Sequence, residues 1–295
     1  INDLAGTTPL VTDRAKAEIV LAALGIDSTK LTPYGSETAY SNAAKLAAMD
    51  LGSSHYTAPW VLLAEQAGQL ELTKTQRDSM ISLLISSSNL GDDGLFFTKW
   101  AGETYADPDT TGTALAALAK FNTAEYPKVQ EFIKDAVAGL SKAQRDNGSY
   151  GNVNSDAMVI TGLTAIGIDP ATDGRFVKGG CSLADALLLY VNDAGNGFTT
   201  GYLSGAQGEK AQALATEQGF RALVTLEQFQ ASNATPVDGK TTAFNIYTLS
   251  TTQTGTVDPD QPAKPDLKPG EATGEGNVPS QGGGTSGGST EREWI

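Results

Sequence analysis

The sequence predicts an all-α fold of repeated helix pairs, followed by a disordered tail. Three observations carry this. A small-residue helical segment recurs along the chain, an amphipathic segment separates each recurrence from the next, and the composition changes abruptly from Thr251 onward.

The recurring segments are Thr12 to Leu24, Thr57 to Ala67, Asp109 to Phe121, Ser155 to Ile166 and Ala215 to Phe229. Each opens on a small polar or acidic residue and continues through Ala, Gly, Thr and Leu or Ile, as in DTTGTALAALAKF and SDAMVITGLTAIG. Counted at Asp13, Thr57, Asp109, Asp156 and Glu217, their starts lie 44 to 61 residues apart. A period of this order signals a repeat architecture. Being apolar on most faces, these segments are predicted to be enclosed inner helices.

The separating segments are Ala39 to Met49, Lys74 to Ser86, Tyr126 to Arg145 and Ser182 to Val191. In the third, Val129, Phe132, Ile133, Val137 and Leu140 form one stripe against Lys128, Glu131, Lys134 and Lys142. That is the pattern of an outer helix with one wet face. Gly, Asn and Asp clusters mark the joins, as in GDDG at Gly91 and RDNGSYG at Arg145. Alternating inner and outer helices form consecutive antiparallel pairs, so all inner helices should run parallel, with their N-termini at one end.

Residues 1–250 are therefore read as the helical domain and 251–295 as a linker or spacer. Between Thr254 and Thr290 the only larger aliphatics are Val257, Leu267 and Val278. Such a stretch cannot offset its ordering entropy by burial. Asp258 to Pro269 should be extended, and Gly282 to Gly288 a flexible linker. The chain is read as a segment of a longer product with further domains.

The net charge of −14, without a basic patch, argues against nucleic-acid binding. No apolar run approaches a membrane span. The single cysteine, Cys181, and single histidine, His55, exclude a disulfide framework and a Cys/His zinc site. No metal ligand set is predicted. Asp92 and Asp93, and the acidic residues near Asp193, lack the spacing of a calcium loop and read as solvated turns.

The segment ADPDTTGTALAALAKF resembles the inner-helix motif of the α/α-toroid superfamily, which includes squalene–hopene cyclases, protein prenyltransferase β-subunits, complement thioester domains and cobalamin carriers. Gln144, Gly148 and Tyr150 look like a degenerate prenyltransferase/squalene-cyclase repeat motif. GLTAIGIDPATDGRFVKGG, SLADALLLY and ALATEQGFRALVTLEQF resemble Gram-positive surface proteins with such repeats, often beside a transcobalamin-like domain. The resemblance spans most of residues 10 to 250. It implies an α/α toroid, secreted or cell-wall-associated. A closed ring of this type usually has six helix pairs, and five inner helices are counted here, so the first pair or its outer member is expected upstream of Ile1.

Each enzymatic relative makes a demand on the residues. The prenyltransferase zinc set of Asp, Cys and His is absent. The Cys-Gly-Glu-Gln run of thioester domains is absent too, since Ser182 and Leu183 follow Cys181. Cys181 is expected to be a buried or half-buried residue at an outer-helix start. Terpene cyclases use Asp-x-Asp-Asp, in which one carboxylic acid stays protonated through burial and neighbouring carboxylates. The matching segment is Asp107-Pro108-Asp109-Thr110, where Thr110 departs from the motif. Asp109 would be the proton donor and Asp107 its partner.

A second reading makes Asp109, Asp156 and Glu217 helix caps or first-turn carboxylates. Either way, parallel inner helices would gather these three acids at one mouth, with His55, Tyr56, Thr57 and Trp60 starting another helix at the same end. Together with Thr110 and Tyr150 they form a candidate acidic, partly aromatic ligand site. The expected function is a non-catalytic binding or adhesion module for a small molecule or glycan. A corrinoid is a candidate ligand because the cobalamin carriers share the ring, and no other cofactor is implied. The alternatives are a degenerate cyclase- or lyase-like enzyme and a structural stalk.

Overall fold

The computed structural model describes residues 2–200, 210–234 and 241–248. The segment 251–295, read as a linker, lies outside the described residues. Among those residues the protein is mostly helical: α1 (Asn2–Ala5), α2 (Val11–Ala23), α3 (Asn42–Ala47), α4 (Ala58–Ala67), α5 (Lys74–Ile85), α6 (Pro108–Leu118), α7 (Pro127–Ala143), α8 (Val153–Ala165), α9 (Leu183–Leu188) and α10 (Ala213–Ser232). None is long and apolar enough to cross a membrane.

The even-numbered helices α2 to α10 coincide with the five recurring segments and pack successively against one another. The intervening α3, α5, α7 and α9 each pack on the helix before them. Burial separates the two sets. Every residue of α6 from Thr110 to Leu118 is buried, as is every residue of α8 from Ser155 to Ala165. On α7 the buried residues form the single stripe Val129, Phe132, Ile133, Ala136, Val137, Gly139 and Leu140. Fully buried leucines such as Leu62, Leu115 and Leu163 each stabilise the fold by roughly 1.5–3 kcal/mol.

α10 departs from the expectation of an enclosed inner helix. It buries only Ala215, Gly219, Ala222, Thr225 and Phe229, while Leu214 and Phe220 stay exposed. Periodicity counts apolar residues but does not say how many neighbours a helix has.

Hydrogen bonds fix the mutual direction of the successive helices. Ser155 near the start of α8 donates to Asp109 near the start of α6. Gln66 near the end of α4 donates to the Ala117 carbonyl near the end of α6 (2.8 Å). Starts meet starts and ends meet ends, so these helices run parallel. The closest packing is between α6 and α8. A Cβ on Gly112 would stand 2.4 Å from the Met158 carbonyl oxygen, and one on Gly162 would stand 2.4 Å from that of Gly112. Only glycine permits this backbone approach.

Two short antiparallel hairpins were not anticipated. β1 (Phe97–Trp100) pairs with β2 (Glu103–Ala106), and β3 (Val177–Lys178) with β4 (Cys181–Ser182). Ala101 and Gly102 both have positive φ at the first turn, as tight hairpins require. This hairpin leads straight into α6, and the Asp107 N–H closes it by donating to the Phe96 carbonyl (2.8 Å). Cys181 is half-buried just before the N-cap of α9, Ser182.

The segment 241–248 returns across the helix ends. Phe244 N–H donates to the Thr164 carbonyl (2.9 Å), and Asn245 Nδ2 donates to the Ala116 carbonyl (2.8 Å). Both carbonyls lie in last turns, where a helix leaves acceptors unfilled.

Candidate functional site

The starts of α6 and α8 carry the most perturbed carboxylates. Asp107 is the N-cap of α6. Its Oδ1 accepts the Thr110 N–H (2.9 Å) and its Oδ2 the Thr110 hydroxyl (2.8 Å). Pro108 follows at the first helical position, where a missing N–H does no harm. Asp109 is thus a first-turn residue rather than the cap, which corrects the N-cap form of the capping alternative. Its Oδ1 accepts from the Ser155 hydroxyl. As a whole residue Asp109 keeps some exposed surface, but burial of its carboxylate dominates and pushes the pKa up to about 6. The Ser155 bond pulls it down, and the like charge of Asp107 pushes it further up.

Asp156 has no exposed surface. The N-cap of α8 is Asn152, which accepts the Ser155 N–H (2.9 Å). Asp156 Oδ1 accepts the Tyr150 N–H (2.7 Å), while its Oδ2 is buried without a hydrogen-bond partner. Burial raises the group to about 7, opposed by the Tyr150 N–H, the neighbouring Ser149 hydroxyl and Arg145, and reinforced by Asp109. The Ser149 oxygen also accepts the Gly151 N–H (2.7 Å) and shares a proton with the Tyr190 hydroxyl (2.8 Å). That leaves it a weak partner for Asp156.

The structure therefore brings Asp107, Asp109, Thr110 and Asp156 together. Thr110 is buried and its hydroxyl is committed to Asp107. Tyr150 contributes its backbone rather than its ring, since its hydroxyl donates to the Leu140 carbonyl (2.9 Å). Burial pushes the Tyr150 phenol far above its ordinary range. His55 stacks on Phe96 (centroids 5.3 Å apart, 3° between planes) and touches Tyr56 (4.0 Å). Burial lowers its pKa against the upward pull of Asp107.

Trp60 and Glu217 belong to a different cluster. Tyr247, 5% exposed, stands edge-on to Trp60 (5.6 Å) and faces the Arg221 guanidinium (5.0 Å from the ring centre). Arg221 also hydrogen-bonds the Tyr247 hydroxyl, which reaches Met158 Sδ (3.6 Å). Glu217 pairs with Arg221 (2.8 Å) from the second turn of α10 and is largely exposed. It is neither a cap nor a neighbour of Asp109. The expected triad of acids reduces to a pair, because α10 starts at Ala213 and carries Glu217 past its first turn. Sequence reasoning missed Ser155, Arg221 and Tyr247. The first was legible as a hydroxyl beside Asp156, whereas nothing local marks Tyr247.

Two open grooves lie elsewhere. One, of about 430 Å³, sits at the helix ends among Gln66, Lys120, Phe244 and Asn245. The other, of about 580 Å³, is lined by His55 and by serines of α5 and the turn after it. Neither is lined by Asp109 or Asp156. Among the described residues no group of three or more His, Cys, Asp or Glu side chains is placed to hold a metal ion. The half-buried Cys181 thiol is pushed up by burial and by Asp185, which disfavours the nucleophilic thiolate.

No protein-family model matches the chain, and no curated protein matches it.

Proposed function

We propose that the protein is a non-catalytic ligand-binding or adhesion module of the α/α-toroid type that works outside the cell, secreted or attached to the wall. Five successively packed helices, of which α4, α6 and α8 run parallel, with intervening helices packed on them, support the toroid reading. The spacer-like composition of residues 251–295 and the single cysteine support the extracellular one.

The observation that carries the non-catalytic reading is how the acids are engaged. A proton donor must come within hydrogen-bond reach of its substrate. Asp109 is bridged to Ser155 and Asp107 caps α6, so both acids are already engaged by the protein itself. Trp60, the aromatic residue expected at the mouth, is met edge-on by the protein's own Tyr247, which supports the same reading.

A thermal-shift screen with corrinoids, prenyl diphosphates and neutral cell-wall glycans tests this, because a ligand bound only to the folded state raises stability by mass action. A glycan or corrinoid should raise Tm, and Asp109→Asn should leave that rise intact. A prenyl diphosphate that alone raises Tm, with the rise abolished in Asp109→Asn, would overturn the reading in favour of the enzyme. No response to any class would leave the stalk.

A further inference from the structure

The segment 241–248 touches all five of the successively packed helices, which places it on the inner side of their row. Its last turn, Ile246–Thr248, packs on α2 and α4. Asn245 reaches the end of α6, the Phe244 N–H reaches the end of α8, and Arg221 of α10 holds the Tyr247 hydroxyl.

Tyr247 is the anchor. Its ring stands between Trp60 of α4 and Arg221 of α10, and its hydroxyl reaches Met158 Sδ of α8 (3.6 Å). The rest of the segment is held less closely. Thr241, Thr242 and Ala243 are exposed, and Phe244, Asn245, Ile246 and Thr248 are only partly buried. Asn233, just past α10, clips Thr242 through two hydrogen bonds (2.6 and 2.9 Å). Phe244, Asn245 and Thr248 line the groove of about 430 Å³, with Gln66, Lys120 and Ala165 on the helix side, so the segment stands off the helix ends instead of sealing them.

Each of these contacts is of a kind that a separate peptide can reproduce. The Ala116 and Thr164 carbonyls are last-turn acceptors, open to any N–H donor. Arg221 offers a charged donor to a hydroxyl oxygen and a guanidinium to an aromatic face. Trp60 adds an aromatic partner for an edge-on ring.

We propose that the inner side of this row is a docking site for an extended peptide of a partner protein, and that 241–248 is an autoinhibitory strap holding the site in cis. The strap itself defines the chemistry of the occupant: an amide side chain, as Asn245, and a tyrosine two residues later, as Tyr247. An apolar ring would leave the Arg221 donor without its acceptor. A small anion would meet an Arg221 already paired with Glu217 (2.8 Å). This inference rests on the binding-module reading above, and it names a peptide as the ligand at the helix ends.

The test uses the full chain with 13C-labelled methionine methyl groups. Met158→Leu assigns the Met158 signal among the three methionines. The probe is the synthetic peptide TTAFNIYT, a copy of residues 241–248. In the parent, the Phe244 amide should exchange by local opening, about 100-fold faster relative to its intrinsic rate than the Leu115 amide of the enclosed α6. The double variant Asn245→Ala/Tyr247→Ala should bind the peptide with a Kd below about 1 mM, and binding should return the Met158 signal to its parent position. A peptide with phenylalanine in place of tyrosine should bind about tenfold more weakly, the loss of one hydrogen bond to a charged group. The variant removes a buried ring, so the parent is titrated as well. A tethered strap competes at an effective concentration of about 1 mM, and peptide at about 5 mM should therefore speed Phe244 exchange.

If Phe244 exchanges only as fast as Leu115, the strap opens only with the whole fold and the proposal is overturned. It is overturned too if the peptide leaves the Met158 signal of the folded variant unchanged, if the phenylalanine peptide binds as tightly, or if excess peptide does not alter Phe244 exchange in the parent. A glycan or corrinoid that raises Tm while the peptide fails sinks this site and keeps the ligand-binding function. A peptide that seats while no screened compound raises Tm keeps this site and overturns a glycan or corrinoid as the ligand.

Discussion

Glu18 in α2 and Asp156 in α8 are both carboxylates with almost no exposed surface, 1% and 0%, and their surroundings treat them differently. Both Glu18 oxygens have partners: the Ser28 hydroxyl (2.6 Å) and Asn42 Nδ2 (2.6 Å). Asn42 in turn accepts from the buried Arg14 (2.9 Å), whose remaining N–H groups reach the Leu4 (2.8 Å) and Gly6 (2.7 Å) carbonyls. Asp156 has one backbone donor and one oxygen with nothing. Burial raises the pKa of both. The difference is one of completeness. The first cluster is a connected network that fastens the N-terminal segment to α2, and the second is an acid held in place with its acceptor capacity half used. Buried polar groups stabilise a fold when the network is closed and burden it when it is open.

The largest expected effect comes from opening the closed network. Arg14→Met should destabilise the protein by about 3–5 kcal/mol, because three hydrogen bonds donated by a charged group are lost, to Asn42 and to the Leu4 and Gly6 carbonyls. Urea denaturation should show a lower midpoint with an unchanged slope, and amide exchange in α1 should accelerate. A cost below about 1 kcal/mol would mean that the network merely decorates the fold.

The open cluster should respond in the opposite sense, and with pH. The folded pKa of Asp156, about 7, lies above its unfolded value of 3.8. The unfolded chain therefore releases this proton first, and stability is lost as pH rises from about 4, levelling off above about 7. Asp156→Asn removes that penalty. The variant should gain stability relative to the parent across this window, by up to about 4 kcal/mol at pH 8. Below pH 4 the two should differ by no more than the exchange of one neutral hydrogen bond. Urea denaturation at pH 4, 6 and 8 measures the trend, and a difference that stays flat across those values would show that Asp156 is ionised in the folded protein.

The helices of this fold were legible in the sequence because their signal is local. DTTGTALAALAKF and SDAMVITGLTAIG read as enclosed helices from composition alone, and α7 as amphipathic from its stripe. The clusters compared above were legible only in part. Asp109 and Asp156 stood out as acids opening apolar helices, and parallel helix starts were enough to bring them together. Arg14 and Glu18 sit one turn apart on α2, and nothing local marks them as a buried cluster, because the Asn42 that shelters them lies 28 residues from Arg14 along the chain. Glu217 was misplaced because α10 starts at Ala213, earlier than the motif suggests. Tyr247 lies in a stretch with no helical period, and only tertiary contact makes it a core residue.

The smallest expected effect sharpens the comparison most. Ser155→Ala removes the donor to Asp109 Oδ1 without touching Asp156 directly. Asp109 titrates at about 6 in the folded protein, so the lost bond is one to a neutral carboxyl at pH 5 and one to a carboxylate at pH 8. A neutral hydrogen bond contributes about 1 kcal/mol and a charged one about 2 kcal/mol. The variant should therefore lose about 1 kcal/mol at pH 5 and about twice that at pH 8, and the folded pKa of Asp109 should rise further. Ser28→Ala, which removes a donor from Glu18, serves as the reference, because Asn42 still holds the other Glu18 oxygen. If Ser155→Ala costs the same at both pH values, Asp109 does not change charge between them. The two acids of the open cluster would then not share the electrostatic strain that sets them apart from the closed one.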